Sequence, residues 1–304
     1  MFRTSTSLLT ILLIPVLLLA VTEQNQLYHQ KNFATRVIAA DPGGLTIDFE
    51  LAEVTLVPVE FQGEEYLSVE LEGGGWLEEL GAPDLPLASR LVAMPDLSDI
   101  QVQLVDFEYT TEHDVNIFPV QAGDFWENPE PASFQRDTEI WQRDAFYPEQ
   151  LVRTGDPAIM RDYRVARLTF QPVQYNPVTR ELRVYHSIRV RVRFDGTNTI
   201  NQKTIHHTHP SPAMRGMYQD MIINIDQIEE SDPTMRDIWD EPSFPGTYII
   251  VYPAVAEDYL EPLVEWKRRK GHIVDMACTA DIGTSYTQIK NYVQDAYDDW
   301  DNPP

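Results

Sequence analysis

The 304-residue chain holds a single cysteine, Cys278. That excludes a disulfide framework within the chain and a thiolate metal cluster, so stability has to come from packing. Cations are scarce: 23 Lys and Arg stand against 48 Asp and Glu, a formal net charge of -25 at pH 7. Nucleic-acid phosphates and anionic membrane surfaces need clustered Lys and Arg, so neither is an expected partner. Long apolar runs are missing with one exception. Leu8 to Val21, preceded by Arg3 and followed by Thr22-Glu23-Gln24-Asn25, has the n-region, h-region and polar exit of a secretory signal. The run is shorter than the ~20 apolar residues of a spanning helix, and no other segment approaches that length, so no membrane span is expected in the mature chain. Residues 1–22 are therefore read as a signal peptide, and the protein as secreted, extracellular or at the cell surface. Leu18 lies two before Ala20, where a small residue would complete a cleavage site, which leaves an uncleaved signal anchor open; no lipobox cysteine follows. A phosphate-binding glycine loop is absent too. Tyr252 is followed by Pro253-Ala254-Val255-Ala256, with neither a G-x-G-x-x-G nor a Walker pattern, so no nucleotide cofactor is expected.

What the chain does have is alternation. From Tyr163 to Phe194 it reads YRVARLTFQPVQYNPVTRELRVYHSIRVRVRF, and Ile188, Val190, Val192 and Phe194 alternate with Arg189, Arg191 and Arg193. A period of two puts the apolar set on one face of a strand and the cations on the other. The cations are read as a solvated face that offsets nearby carboxylates, with an anion-binding stripe as the alternative. Val165, Leu168 and Phe170 form an earlier run, and Asn176-Pro177 with Thr179 supplies turn chemistry, so paired strands of a hairpin are expected. Upstream, Phe33 to Phe61 reads as short strands around a turn at Asp41-Pro42-Gly43-Gly44, and Tyr66 to Leu71 as a further strand broken by Gly73-Gly74-Gly75. Gly81-Ala82-Pro83-Asp84-Leu85-Pro86 precedes a run ending at Pro95, and two prolines so close favour an edge or crossing segment. Ile100 to Thr111 continues the sheet, while Gln121 to Pro157 reads as surface loops with one short helix. Residues 23–194 are thus read as an all-β sandwich.

The pattern stops after Phe194. Residues 195–246 carry His206, His207 and His209 among several prolines and are read as a linker with at most one short helix, its Arg215 and Arg236 exposed to processing. Residues 247–304 differ in kind. Thr247 to Tyr252 is an almost wholly apolar run, a helix over Leu260, Leu263, Val264 and Lys267 ends before Gly271, and a strand follows from His272 to Ala277. Ser285 with Gln288 then makes a capping box before a helix whose apolar stripe is Tyr286, Ile289, Val293, Ala296, Tyr297 and Trp300. Pro262 is tolerable only near the start of its helix. A β-α-β-α order predicts parallel strands, yet two strands and two helices cannot cover both faces of such a sheet, so the unit reads as the truncated opening of a larger α/β domain.

Three separated groups of residues resemble one known family, in family order. Gln171-Pro172-Val173-Gln174-Tyr175-Asn176-Pro177 with Glu181-Leu182 is similar to the closing strands of the gingipain-type propeptide, and Gly81 to Pro86 to the element that precedes a proline-ended strand there. Tyr248-Ile249-Ile250-Val251, Leu263-Val264-Glu265-Trp266-Lys267, Lys270-Gly271-His272, Ile282-Gly283 and Ile289-Lys290 resemble the opening of the gingipain-type catalytic domain. The resemblance implies a caspase-like α/β fold with a His and Cys dyad, a secreted cysteine endopeptidase precursor, and a propeptide acting as inhibitor or folding aid on its own catalytic domain. It implies protein substrates for the full-length enzyme, and calcium as a ligand. The competing reading is a secreted β-sandwich module binding carbohydrate or protein, fused to an unrelated α/β domain.

Candidate chemistry is sparse. A cysteine peptidase needs a thiolate and an imidazole within hydrogen-bond reach. His272 lies six residues before Cys278, and along a strand rising ~3.3 Å per residue that is ~20 Å, so the two cannot be a dyad. The family's catalytic pair falls after later strands, so no catalytic residue is assigned here, and Cys278 is read as an incidental thiol. His206, His207 and His209 could chelate zinc or nickel but lack a supporting carboxylate, and Asp295, Asp298, Asp299 and Asp301 lack calcium-loop order, so no metal or cofactor residue is assigned.

Overall fold

The alternation closes into two facing sheets. In this computed structural model, which describes residues 32–122, 134–204, 212–231, 247–300 and 303–304, strand β1 (Phe33–Asp41) pairs with β2 (Gly44–Leu51). Along β2, Leu45, Ile47, Phe49 and Leu51 are buried while Thr46, Asp48 and Glu50 point away, as a period of two demands. A β3–β4 hairpin (Thr55–Phe61, Glu64–Glu70) turns at Gln62 and Gly63, both at positive φ, the geometry that matches the right-handed twist of the flanking strands. The remaining strands of this region are β5 (Gly75–Trp76), β6 (Pro86–Ala93), β7 (Asp99–Glu112), β8 (Val152–Thr154), β9 (Ala158–Met160), β10 (Tyr163–Phe170), β11 (Val173–Asn176) and β12 (Glu181–Asp195).

The first sheet is organised on β12. Its N-terminal part pairs with β11 and its C-terminal part with β2 on one flank, while β7 runs along the other. Ile188, Val190 and Val192 are fully buried, and the arginines face outward, where Arg189 meets Asp48 at 2.6 Å and Arg191 meets Asp41 at 2.6 Å. The cations therefore offset carboxylates of the same sheet. The second sheet runs β5-β6-β10, with β8 and β9 sharing the far side of β10. Phe49 of one sheet stacks on Phe170 of the other with ring centroids 4.8 Å apart, at the centre of the core. Burying such side chains contributes roughly 1.5–3 kcal/mol each.

Two turns show why the chain changes direction where it does. Gly44 has φ 150° and lies so close to the Val192 carbonyl that a Cβ there would overlap it, so the Asp41-Pro42-Gly43-Gly44 turn requires glycine. At Asn176 the side-chain oxygen accepts from the Val178 and Thr179 amides, fixing the β11–β12 turn. The hairpin expectation is thereby refined. β10 is not an arm of it: Gln171 and Pro172 carry the chain from the second sheet to the first, and only β11 pairs with β12. The Gly81 to Pro86 element also acquires a physical role. The Gly81 carbonyl accepts from the Asp137 amide and from Trp141 Nε1 at 2.7 Å, which seats helix α1 (Thr138–Gln142).

Where the sequence reads as a linker with at most one short helix, the structure has two, α2 (Pro212–Met221) and α3 (Ile225–Ser231). Tyr218, Ile222 and Ile225 are buried against Ala93, Tyr163 and Val165. Between the helices Asn224 uses its amide to pair both backbone groups of Ala93, at 2.8 and 2.9 Å. Pro212 opens α2 at the one helical position where its missing N–H costs nothing.

The last unit follows the β-α-β-α order as read, with one short further helix ahead of the last. β13 (Thr247–Tyr252) and β14 (Ile273–Cys278) pair in parallel, with α4 (Glu257–Arg269) between them and α5 (Thr279–Ile282) and α6 (Tyr286–Asp299) after them. Val264 is buried against Ile250 and Tyr252, and the Ser285–Gln288 capping box is present. Pro262 departs from expectation: it lies inside α4, more than a turn beyond Glu257, where it removes an interior backbone donor.

Candidate functional site at the junction of the two units

The residues that the sequence singles out do not converge. Cys278 ends β14, buried beside Tyr252, Ile250 and Val264. His272 precedes the same strand at its other end, its ring 5.8 Å from that of Tyr248. An extended strand separates the two, ~20 Å at ~3.3 Å per residue. Asp295, Asp298 and Asp299 lie on α6, where Asp298 accepts from Gln294 at 2.9 Å. His206, His207, His209, Asp301 and Arg236 fall outside the described residues, as does the signal-like run. Among the described residues no group of three or more His, Cys, Asp or Glu could hold a metal ion, and no helix is long and apolar enough to cross a membrane.

The polar side chains that do converge join the sandwich to the α/β unit. The β9–β10 hairpin turns at Arg161, whose φ of 46° brings Arg161 and Asp162 to its tip. Tyr297 on α6 donates to the Arg161 carbonyl at 2.5 Å, and its hydroxyl accepts from Lys203 Nζ at 3.2 Å. Arg161 Nη2 donates to the Pro303 carbonyl, which also accepts from the amide of Thr247 at the start of β13. One carbonyl thus links the hairpin tip to the first strand of the α/β unit. Behind it, Tyr218 of α2 donates to the Asp162 carboxylate, and Asp162 follows Arg161 in sequence with their charged groups 3.6 Å apart, so the helices meet the junction at the hairpin tip.

Burial sets the electrostatics. Lys203 is 4% exposed, and desolvation lowers its pKa, opposed by the carboxylates of Asp162, Asp96 and Asp298. Burial first and the Asp162 charge second push the Tyr297 hydroxyl up to about 12. The same two causes raise Tyr218 well above the ordinary tyrosine range. Both hydroxyls therefore stay protonated donors at any physiological pH. Next to them a groove of about 810 Å³ opens between the sandwich and α6, lined by Ile159, Lys203, Ile289 and Val293. The junction is a few directed hydrogen bonds beside a gap. Such an interface is polar and incompletely filled, and units joined this way separate more readily than units sharing a core.

Sequence reasoning missed these contacts. Tyr297 was visible only as part of an apolar stripe, and Lys203 only as part of a linker. The stripe of Met214, Met217 and Tyr218 on α2, continued by Ile222 just past its end, was the available signal for the packed helices.

Residues 24–209 match the family model Propeptide_C25, and residues 241–304 match Peptidase family C25. The chain belongs to the C25 propeptide family and continues into the start of a C25 peptidase domain. Over 261 residues it is 27% identical to Lys-gingipain HG66 of Porphyromonas gingivalis, covering 83% of this chain and 15% of that protein. Over 274 residues it is 26% identical to Gingipain R2 of the same species, covering 88% of this chain and 36% of that protein. The chain therefore spans well under half the length of these relatives. Among solved structures, a chain in the complex of Porphyromonas gingivalis RgpB pro- and mature domains superposes with a TM-score of 0.54 at 26% identity, covering 64% of this chain and 97% of that one. The sandwich is thus a gingipain-type propeptide fold, and the peptidase match decides against an unrelated α/β partner.

Proposed function

We propose that this chain is the latency-conferring N-terminal part of a secreted gingipain-like cysteine endopeptidase, in which the sandwich holds its own catalytic domain inactive until the two are separated. The observation that carries the reading is the hydrogen-bonded junction. One polypeptide presents a propeptide fold and the opening of a peptidase fold, and Tyr297, Arg161 and Pro303 join them directly. The relative's structure is a complex of pro- and mature domains, which supports an intramolecular partner here. A junction of a few polar contacts suits a propeptide that has to leave. Secretion rests on the signal-like run, and protein substrates on the family. Calcium rests on the resemblance alone.

The segment between the packed helix α3 and β13, residues 232–246, is the natural place for the separating cut. It carries Arg236, whereas Arg215 belongs to α2. The test is to isolate the protein from its own source and assay peptide hydrolysis before and after limited proteolysis. Activity blocked by a thiol alkylating agent should be low before cleavage in 232–246 and rise after it. Equal activity before and after would overturn latency, and no thiol-dependent activity in either state would overturn the peptidase reading.

A further inference from the structure

Strand β7 forms an edge of the first sheet among the described residues. It pairs with β12 along one side, and among the described residues no strand pairs with the other. It is 14 residues long, and Leu104, Val105, Phe107 and Tyr109 on it are 41–55% exposed. A long edge with exposed apolar side chains offers unmet backbone groups to any extended chain, and proteins usually blunt such edges. Among the described residues this one is blunted by a bulge at Val105, by acids, and at one point by Asp106, whose carboxylate accepts from the Phe107 amide at 2.9 Å.

The charges on its outer face have an order. Arg36 of β1 stands opposite Asp48 of β2, Asp48 opposite Arg189 of β12, and Arg189 opposite Asp106 of β7. Signs alternate strand by strand, and Arg189 grips Asp48 through two nitrogens at 2.6 and 2.8 Å. The row ends on an acid at the open edge, with Glu108 two residues on. Toward the inner face, β7 and β8 flank a cleft of about 620 Å³ lined by Leu104, Phe107, Val152 and Tyr185.

We propose that the β7 edge is a docking site for an extended segment of a partner polypeptide in which basic residues alternate with apolar ones. Strand addition supplies main-chain hydrogen bonds, and the period of two sends alternate side chains to opposite faces. A cation then continues the charge row beyond Asp106, while the apolar neighbours fill the cleft beside Phe107. The strand that already occupies the other side of β7 has this pattern, with Ile188, Val190 and Val192 inward and Arg189, Arg191 and Arg193 outward. A second copy of β7 fits poorly, because Asp106, Glu108 and Glu112 would face the same acids in a chain of net charge -25. The proposal is independent of the latency reading.

The test titrates the chain with a synthetic peptide alternating valine and lysine and follows amide hydrogen exchange. Slowed exchange in β7 at residues 103–112 is expected, and it should vanish when alternate peptide nitrogens are methylated, which keeps the charge but removes the donors. A valine–glutamate peptide should bind at least about fivefold more weakly, and Asp106→Lys should reverse the preference. Asp106→Asn, a smaller change at the same exposed position, should abolish the preference without reversing it. No protection of β7, equal binding of the methylated peptide, or an unchanged preference in both variants would overturn the proposal. So would concentration-dependent dimerisation that protects β7 without peptide, which would assign the edge to a second copy.

Discussion

Arg164 is 1% exposed in the second strand position of β10, and all its partners are backbone carbonyls: Pro95, Ser98, Asn198, Ile200 and Asn201, at 2.7 to 3.1 Å. A guanidinium has five N–H donors in a planar fork, and here each has an acceptor. The side chain therefore pins two loops, the one after β6 and the one after β12, to the centre of the second sheet. Arg164→Met removes every one of these bonds and strands carbonyls that the fold has drawn inward. Residues 199–201 are exposed enough for water to reach part of the loss. A stranded buried acceptor costs about 1–3 kcal/mol, so with water meeting part of the loss the total is about 3–5 kcal/mol, and at 2–4 °C per kcal/mol for a unit of this size Tm should fall by about 10 °C. Arg164→Lys keeps the charge but has only three donors, so at least two carbonyls lose theirs, at a cost of about 2–3 kcal/mol. Thermal and urea unfolding followed by circular dichroism measure both, and protease nicking at 196–204 should rise in the same order. A Met variant within 1 kcal/mol of the parent would refute the argument, as would a Lys variant no better than Met.

The other predictions concern charge, junction and thiol. Asp84 has its pKa raised to about 6 by desolvation, then by Glu70. A raised carboxylate pKa favours the fold below the unfolded value of 3.8 and loses that contribution as pH rises through about 6, so Asp84→Asn should stabilise by on the order of 2 kcal/mol at pH 7 and by little at pH 3, read from urea midpoints against pH. Tyr297→Phe deletes the bonds to Arg161 and Lys203, so amide exchange across 247–300 should quicken by a factor corresponding to about 1–2 kcal/mol while β2 and β12 are unchanged; equal exchange would remove the junction as the link. Residues 1–304 assayed on a broad peptide library under reducing conditions should show no turnover, and Cys278→Ala should leave that result unchanged. Turnover lost in the Ala variant would restore Cys278 as a nucleophile.

What could be read in advance, and what could not, divides along a physical line. The strands β2 and β12 were legible because one face of each is buried and the other wet, which writes a period of two into neighbouring residues. The β13-α4-β14-α6 order was legible for the same kind of reason, since caps and stripes are local. Arg164 was not. Nothing in YRVARLTF marks it as buried, because burying a guanidinium is costly unless five acceptors arrive together, and these come from loops 34 to 69 residues away in sequence. Tyr297 was counted as apolar because its ring is, while the partner that gives its hydroxyl a role lies 136 residues off.

The β7 edge belongs to the same class. Ile100 to Thr111 reads as a strand, but being an edge is a property of the whole sheet, settled only when β12 takes β2 and β11 on one side and leaves β7 alone on the other. Residues that act across long sequence separations leave no local period. In this chain those residues are the polar ones that fasten the sandwich to the peptidase opening, so reading pattern alone recovers the two folds and not their joint. A functional account of a propeptide has to be about the joint, because latency is a statement about two folds held together. The perturbations with the most to say about it are therefore Arg164 and Tyr297. Asn201, which accepts from Arg164, lies two residues before Lys203, and Lys203 donates to Tyr297. Loosening the first should loosen the second, and quicker exchange in α6 of Arg164→Lys would show the two ends of that chain to be coupled.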